Sequence, residues 1–289
     1  MNKKIRVIFL IAICWALTSC LLSVPVYSGD TRTASFKPLY IQECHELETK
    51  RVITLENPIP CERLSKVKFS FLSDNGIIRD DGELIVLDVI APNVASLMEE
   101  LLVRKFYFAK VRPIEMYDGN DQASMADNNT SAFNGRSITG GSSWSLHAYG
   151  VAIDVNPLQN PFVDISEDGK VQILPINSAR YSLNRSEHRP NKAKRPGMSE
   201  SVVAVFAKYG FFVWGGDWNY PIDYQHFQIG PRSFVEALVK RDFEGGSELF
   251  AEFISMYKNC YSKDVDENNS DGLRVRCVEK VIMAMKTIK

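Results

Sequence analysis

Two of the four histidines lie near carboxylates, in segments that also contain glycine. In the first segment His147 precedes Asp154, and Gly150 lies between them. Residues 151–156 alternate as in a strand that places Asp154 on one face, and Gly150 permits a sharp turn that folds His147 back over that face. An imidazole and a carboxylate can therefore converge on one cation.

The second histidine, His226, lies where Tyr224, His226 and Gln228 share one face of a predicted strand. Two histidines and one carboxylate fill three positions of a tetrahedral Zn²⁺ and leave the fourth for water, which is typical of a catalytic site. Zinc lowers the pKa of that water from about 15.7 towards about 7. The pattern therefore predicts a zinc site whose ligands are His147, Asp154 and His226.

Hydrolysis at such a site needs a second carboxylate that takes a proton and passes it to the leaving amine. Asp223, shortly before His226, is the predicted general base, and Asp217 in the segment Trp-Gly-Gly-Asp-Trp is the alternative. Trp214 and Trp218 of this segment either wall the cleft or pack in the core.

Three motifs in these segments, SxHxxGxAxD, WGGDW and DxxHF, resemble those of the zinc D-Ala-D-Ala carboxypeptidases, a VanY-like family related to L-alanyl-D-glutamate peptidases. The segment NNTSAFNGR (128–136) is similar to the NNTSAFNCR segment of one bacterial branch, with Gly135 in place of the cysteine. The resemblance covers about residues 69–230 and includes the segment 156–161.

The resemblance implies the same three metal ligands, with Asp223 as the general base, and Zn²⁺ as the cofactor. It implies an α+β fold shared with the Hedgehog signalling domain, in which helices flank an antiparallel sheet. It also implies peptidoglycan stem peptides as substrates.

Many relatives carry an arginine directly after the aromatic residue of the 128–136 segment, whereas here Asn134 follows Phe133 and Arg136 comes later. In an extended segment positions 134 and 136 face the same way, so Arg136 is expected at the site beside Asn134. There a guanidinium can bind the substrate carboxylate or the tetrahedral oxyanion. The alternative is a surface arginine bonded to a loop carbonyl.

Ser145 and Tyr149 are further candidates that either bind substrate or fix the metal ligands. Asn156 can orient a metal ligand by a hydrogen bond without contacting the metal. Residues 185–195, with His188 and several basic side chains, are either a basic flap near an anionic peptide or a solvated loop. His45 is expected to be structural.

Composition limits the possible partners. The 289 residues contain 34 Lys and Arg against 35 Asp and Glu, a net charge of −1, so nothing indicates a nucleic-acid partner. The 45% hydrophobic content is that of a globular protein.

The N-terminus carries Lys3, Lys4 and Arg6 before an uncharged apolar run, which is typical of a secretory signal. Residues 17–20 resemble a lipobox with Cys20 as a lipidated residue, residues 26–28 resemble an ordinary cleavage site, and residues 7–26 could remain as a membrane anchor. All three alternatives place the protein in the periplasm or cell envelope. A lipid on Cys20 or an uncleaved anchor would also attach it to the membrane.

Four further cysteines suit an oxidising compartment. Equal spacing in the two sequential pairs favours Cys44–Cys61 and Cys260–Cys277, although four cysteines allow three connectivities. None has the CxxC spacing of a thiolate zinc site or redox pair.

Patterning predicts a mixed order of elements along one domain. The expected elements are strands over 67–71, 84–90 and 108–116, a turn at 74–76, helices over 94–106 and 199–209, a surface loop over 117–130, and a helical tail from residue 232. The expected domains are a leader (1–28), an irregular arm (29–65), an α+β zinc peptidase domain (66–230) and a helical extension (231–289).

The sequence thus predicts an exported zinc peptidase that hydrolyses peptidoglycan stem peptides, of D,D-carboxypeptidase or L,D-endopeptidase type, most directly at the terminal D-Ala-D-Ala bond. The alternative from another class is a non-catalytic module that recognises cell wall or a protein on the same fold. A retained Asp223 favours the enzyme, because binding alone needs no proton shuttle.

Overall fold

The computed structural model describes residues 34–73, 75–138, 141–262 and 270–288. The predicted leader (1–28), including Cys20, and Asp74 of the predicted turn lie outside these residues. From Ala34 onward the described residues belong to one compact unit. Among the described helices, none combines the length and the apolar character that a membrane crossing requires.

Short strands and helices alternate along the chain. The strands are β1 (Ser35–Pro38), β2 (Leu64–Leu72), β3 (Ile78–Leu87), β4 (Lys110–Val111), β5 (Asn129–Thr130), β6 (Ala152–Asp154), β7 (Phe162–Ile165), β8 (Val171–Leu174), β9 (Val213–Trp214), β10 (Ile222–Asp223) and β11 (His226–Gln228). The helices are α1 (Ile41–Thr49), α2 (Ala91–Val103), α3 (Asp121–Ala126), α4 (Val203–Lys208), α5 (Arg232–Val239), α6 (Phe243–Tyr261) and α7 (Ser270–Met285). This content confirms the predicted α+β class.

The first sheet is the antiparallel order β1-β2-β3, and α2 packs against it. Val67, Phe69 and Phe71 of β2 are buried and Lys68 between them is exposed, as the predicted period-two pattern requires, but Ser70 is buried as well. The helix predicted over 94–106 is α2, whose apolar face is fully buried. This sheet and helix form the core on which the site is built.

Two further three-stranded antiparallel sheets carry the predicted site residues. In the order β6-β11-β9, His226 of β11 lies directly opposite Asp154 of β6. In the order β10-β7-β8, Asp223 of β10 lies opposite Phe162, which in turn lies opposite Leu174. A parallel pair, β4 with β5, completes the strands of the described residues.

The predicted irregular arm is wrong in its described part, because residues 35–38 extend the first sheet as β1 and residues 41–49 form α1. The predicted strand over 108–116 is reduced to β4, followed by a 3-10 helix at Ile114–Tyr117. The predicted second strand extends from Ile78 and ends at Leu87, where Asp88 accepts a hydrogen bond from Val89 N (2.7 Å) and begins a 3-10 turn.

The predicted surface loop over 117–130 is also wrong, since it contains α3 and β5. Its turn-forming residues are caps: the Asn120 side chain accepts a hydrogen bond from Ala123 N (3.0 Å) at the start of α3. Asn129 is buried and bonds across to Arg112. Residues of the same types occur in loops and at helix ends, and burial decides between the two.

The helix predicted over 199–209 is a 3-10 turn at Ser199–Ser201 followed by α4. Ser199 does not cap it through its side chain, but Gly210 follows the helix with a φ of +98°, as predicted for a helix end. The predicted helical tail is α5 to α7.

Both predicted disulfides are confirmed. Cys44–Cys61 joins α1 to the turn before β2, and Cys260–Cys277 joins α6 to α7.

Candidate active site

His147, Asp154 and His226 form one buried cluster. His147 Nε2 lies 3.2 Å from Asp154 Oδ2, and His226 Nδ1 lies 3.1 Å from Asp154 Oδ1. The two nitrogens are 3.2 Å apart. The structure therefore brings together all three residues that the sequence suggested as metal ligands.

Local structure explains this convergence. His147 lies in a 3-10 helix (Leu146–Tyr149) that ends at Gly150, whose φ is +66°. A Cβ atom at Gly150 would lie 2.6 Å from Leu87 N, so glycine is needed both for the turn and for the close approach of β3. The chain then enters β6, and Asp154 and His226 face each other across the antiparallel pair.

A hydrogen bond behind each imidazole fixes its tautomer. His147 Nδ1–H donates to the Ala132 carbonyl (2.6 Å), and His226 Nε2–H donates to Gln228 Oε1 (2.9 Å). The Gln228 amide is itself oriented, because its Nε2 donates to the Gly230 carbonyl (2.9 Å). The lone pairs of His147 Nε2 and His226 Nδ1 are thereby directed into the cluster.

Two nitrogen lone pairs and a carboxylate at these distances repel one another unless a proton or a cation lies among them. Burial by itself would raise the pKa of Asp154, but His147 and His226 outweigh it and hold that pKa far below its usual range. Burial would lower the pKa of His226, yet hydrogen bonding to Asp154 and its charge raise it. The cluster thus favours positive charge, and its N, N, O donor set fits Zn²⁺.

Asp223 lies at the end of β10, beside the cluster. Desolvation first, and then the charge of Asp154, raise the pKa of Asp223 to about 7. Its Oδ1 is shielded from solvent and has no hydrogen-bond partner among the described residues. Gly215 permits this position, because a Cβ there would lie 2.4 Å from the Asp223 carbonyl oxygen and 2.9 Å from Asp223 Cβ.

A cavity of about 520 Å³ opens over the cluster and Asp223. Its apolar lining comes from Met125, Ile138, Leu146, Phe162, Leu174, Trp218 and Pro221. Its further polar lining comes from Asp121, Arg136, Ser145, Gln225, Gln228 and Arg232. The His-Asp-His cluster and a carboxylate with an acceptor atom that has no partner among the described residues therefore face one mainly apolar cavity.

Residues 139–229 match the family model described as D-alanyl-D-alanine carboxypeptidase. The match confirms the resemblance that the motifs carry, and it includes the three cluster residues and Asp223. No curated protein and no solved structure matches the chain. The family match supports a metallopeptidase.

Arg136 precedes the matched range and lines the cavity. Its Nη2 pairs with Asp121 (2.8 Å), its Nη1 donates to the Ser137 carbonyl (3.1 Å), and its Nε is buried with no partner among the described residues. Asn134, predicted beside it, is buried behind the cavity and faces Asp121 at 3.4 Å. Asn134 is not among the residues that line the cavity, and its contact with substrate stays a prediction.

Gly135 explains a departure from the related segment. A Cβ at this position would lie 2.2 Å from the Val52 carbonyl and 2.4 Å from Asn57 Nδ2, and Gly135 N donates to that same carbonyl (3.1 Å). The segment after α1 packs so closely here that a cysteine would not fit.

Of the remaining candidates, Ser145 lines the cavity and its hydroxyl accepts a hydrogen bond from His147 N (3.3 Å), so it fixes a ligand. Tyr149 packs in the hydrophobic core with its ring centre 5.9 Å from the Arg232 guanidinium, and its contact with substrate stays a prediction. Asn156 bonds to Ala109 N, to the carbonyls of Tyr107 and Gly197 and to Thr130 Oγ1, so it joins loops and does not orient a ligand.

The two tryptophans have different environments. Trp214 is buried against Phe227 and donates from Nε1 to the Tyr224 carbonyl (2.9 Å), whereas Trp218 lines the cavity with its ring 5.5 Å from that of His226. Asp217, the alternative base, forms a bidentate pair with the buried Arg274 at 2.9 and 3.2 Å. That pairing removes Asp217 from the proton-transfer role.

The predicted basic flap lies apart from the cluster. His188, Arg189, Lys192 and Lys194 line a separate surface depression. Arg185 binds Glu200 and the Gln159 carbonyl, and its guanidinium lies 4.0 Å from the Tyr224 ring centre. His45 is exposed on α1, 3.8 Å from Glu48.

Three contributors to the site were missed by sequence reasoning. The Ala132 carbonyl is invisible in a sequence because every residue has one. The alternation of His226 and Gln228 indicated a shared face but not the hydrogen bond between them. Arg232 lies five residues after the end of the last motif and carried no signal of its own.

Proposed function

We propose that this protein is an exported zinc peptidase that hydrolyses peptidoglycan stem peptides, most directly as a D-alanyl-D-alanine carboxypeptidase. The observation that carries the proposal is the buried cluster of two oriented imidazoles and one carboxylate, which faces a cavity beside the partnerless Oδ1 of Asp223. A match of residues 139–229 to the carboxypeptidase family model supports it.

In this proposal His147 Nε2, Asp154 and His226 Nδ1 hold Zn²⁺. When bound, Zn²⁺ supplies a Lewis acid for the scissile carbonyl and lowers the pKa of water. Asp223 accepts the proton of the attacking water at Oδ1 and donates it to the leaving amine nitrogen, so the base is regenerated in each turnover. Without metal the pKa of Asp223 is raised to about 7, and a nearby Zn²⁺ would lower it and favour the ionised form that accepts the proton.

The cavity supports a short peptide as substrate. Its volume of about 520 Å³ is that of a small-molecule site, and its lining offers apolar surface for alanyl methyl groups with a few convergent polar groups. Arg136 faces this space and is positioned to stabilise the oxyanion or to hold the substrate.

The test is incubation of the purified protein with muropeptides, with and without a chelator, followed by mass spectrometry of the products. We expect release of D-Ala that chelation abolishes and zinc restores. An Asp223→Asn variant should bind zinc and lose about 10²- to 10⁴-fold in kcat, whereas the control Asp168→Asn, in the exposed β7–β8 turn, should remain active.

Cleavage at another stem bond would make the protein an endopeptidase of the L,D type. Absence of every product from folded, zinc-loaded protein would instead favour a recognition module without catalysis.

Export and the Hedgehog/D,D-peptidase-like arrangement belong to the same proposal. Two disulfides suit an oxidising compartment. Fractionation of cells that express the full chain tests export, and a Cys20→Ser variant separates lipid attachment from release by ordinary cleavage. Retention of full-length protein in the cytoplasm would refute export.

A further inference from the structure

Arg232 stands at the edge of the cavity, at the first residue of α5. Its Nη2 donates to the Trp144 carbonyl (2.5 Å), and its guanidinium lies 5.9 Å from the Tyr149 ring centre. The hydrogen bond and the buried ring restrict the side chain, so the guanidinium is held at the cavity before any ligand arrives.

The position of Arg232 is tied to the metal cluster from two sides. Trp144 lies shortly before the 3-10 helix that carries His147, and β11, which carries His226, ends four residues before Arg232. Arg232 and the cluster also line the same cavity, so a ligand held by Arg232 lies in the space that the cluster faces.

The charges around the two cavity arginines differ. Arg136 is paired with Asp121 at 2.8 Å, so its charge is largely compensated. Arg232 has no carboxylate within ion-pair distance among the described residues, and it donates a hydrogen bond to a neutral carbonyl. It thus presents an uncompensated positive charge to a mainly apolar cavity, where attraction to an anion is stronger than in bulk water.

We infer that Arg232 binds the free C-terminal carboxylate of the substrate and so selects cleavage at the chain end. The planar fork of a guanidinium matches a carboxylate, and a group already fixed by one hydrogen bond loses little freedom on binding. A peptide whose terminus is held beside the cluster presents its last peptide bond to the metal and to Asp223. The inference rests on the proposed function and specifies the substrate as a peptide acid.

The experiment compares diacetyl-L-lysyl-D-alanyl-D-alanine with its C-terminal amide, using kcat/KM for the zinc-loaded protein. The wild type should prefer the acid. Arg232→Gln should lower kcat/KM for the acid by about 10- to 100-fold, the worth of a charge-assisted hydrogen bond, and change that for the amide by less than about 3-fold. Arg232→Lys should restore part of the preference.

Two controls sharpen the result. Arg241→Gln removes an exposed arginine just after α5 and should leave both substrates unaffected. If Arg136 acts on the oxyanion, Arg136→Gln should lower kcat/KM for the acid and for the amide by the same factor. Loss of the acid preference in Arg136→Gln, with Arg232→Gln unchanged, would assign the carboxylate to Arg136 and overturn the inference.

Other outcomes are also decisive. An equal loss on acid and amide in Arg232→Gln would show a structural role and refute the inference. If the wild type hydrolyses neither peptide, the proposed D-alanyl-D-alanine carboxypeptidase activity fails, and calorimetric affinities for acid and amide test Arg232 directly. Tighter binding of the acid that Arg232→Gln abolishes would support the inference, and equal or absent binding of both would refute it.

Discussion

If the cluster holds zinc as proposed, its affinity depends on the hydrogen bond from His226 Nε2 to Gln228 Oε1, because that bond orients the imidazole. In a Gln228→Leu variant the side chain keeps a similar size but loses the acceptor, so His226 can rotate or change tautomer. Loss of such a partner behind a ligand typically costs 10- to 100-fold in metal affinity, which is about 1.4–2.8 kcal/mol. We expect Gln228→Leu to fall in this range.

A Gln228→Glu variant should behave differently. Its carboxylate still accepts from His226 Nε2, and a charge-assisted hydrogen bond makes the imidazole a stronger ligand. Glutamate also lacks the amide that donates to the Gly230 carbonyl, so we expect a zinc affinity between those of Gln228→Leu and the wild type. The matched control is Gln172→Leu, which alters an exposed glutamine of β8 and should leave affinity unchanged.

The assay is a competition titration of metal-free protein with zinc against a fluorescent chelator, with circular dichroism to verify folding. Zinc affinity of a folded Gln228→Leu protein within about 2-fold of the wild type would show that the imidazole orientation does not depend on this hydrogen bond. The reasoning about the oriented cluster would then be wrong.

Three further predictions concern residues around the cluster. Gly215→Ala places a methyl group 2.4 Å from the Asp223 carbonyl oxygen, so steady-state kinetics should show a kcat lower by about 10- to 100-fold while zinc titration shows unchanged affinity. In metal-free protein the pKa of Asp223 is about 7, against about 4 in the unfolded chain. The stability that protonated Asp223 contributes is therefore complete below about pH 4 and is lost as the pH rises through about 7. Urea unfolding should accordingly show a wild-type stability that falls from pH 5 to pH 8 more steeply than that of Asp223→Asn. Arg274→Met removes the buried partner of Asp217 and should lower the free energy of unfolding by about 1–3 kcal/mol in the same urea assay. An unchanged value would show that this ion pair does not hold α7 to the segment that contains Asp217.

Local patterns predicted the elements that depend on local sequence. The alternation in β2 and the helical spacing in α2 each specify one buried face, and the structure has both. The segments around Asn120 and in the described arm were misjudged because their residue types suit caps and turns equally. Residues 35–38 form a strand because β1 pairs with β2, which is far from it in sequence.

Residue types and spacing in the sequence identified His147, Asp154 and His226, and the turn at Gly150 brings His147 to Asp154 by local geometry. His226 reaches Asp154 only through the pairing of β11 with β6, across 72 positions of the chain. Tertiary structure decided which neighbours act on these residues. Arg274 of the distant α7 forms an ion pair with Asp217, and Tyr149 packs in the hydrophobic core. Side-chain type is written in the sequence, whereas burial and the choice of hydrogen-bond partner arise only when distant segments pack together.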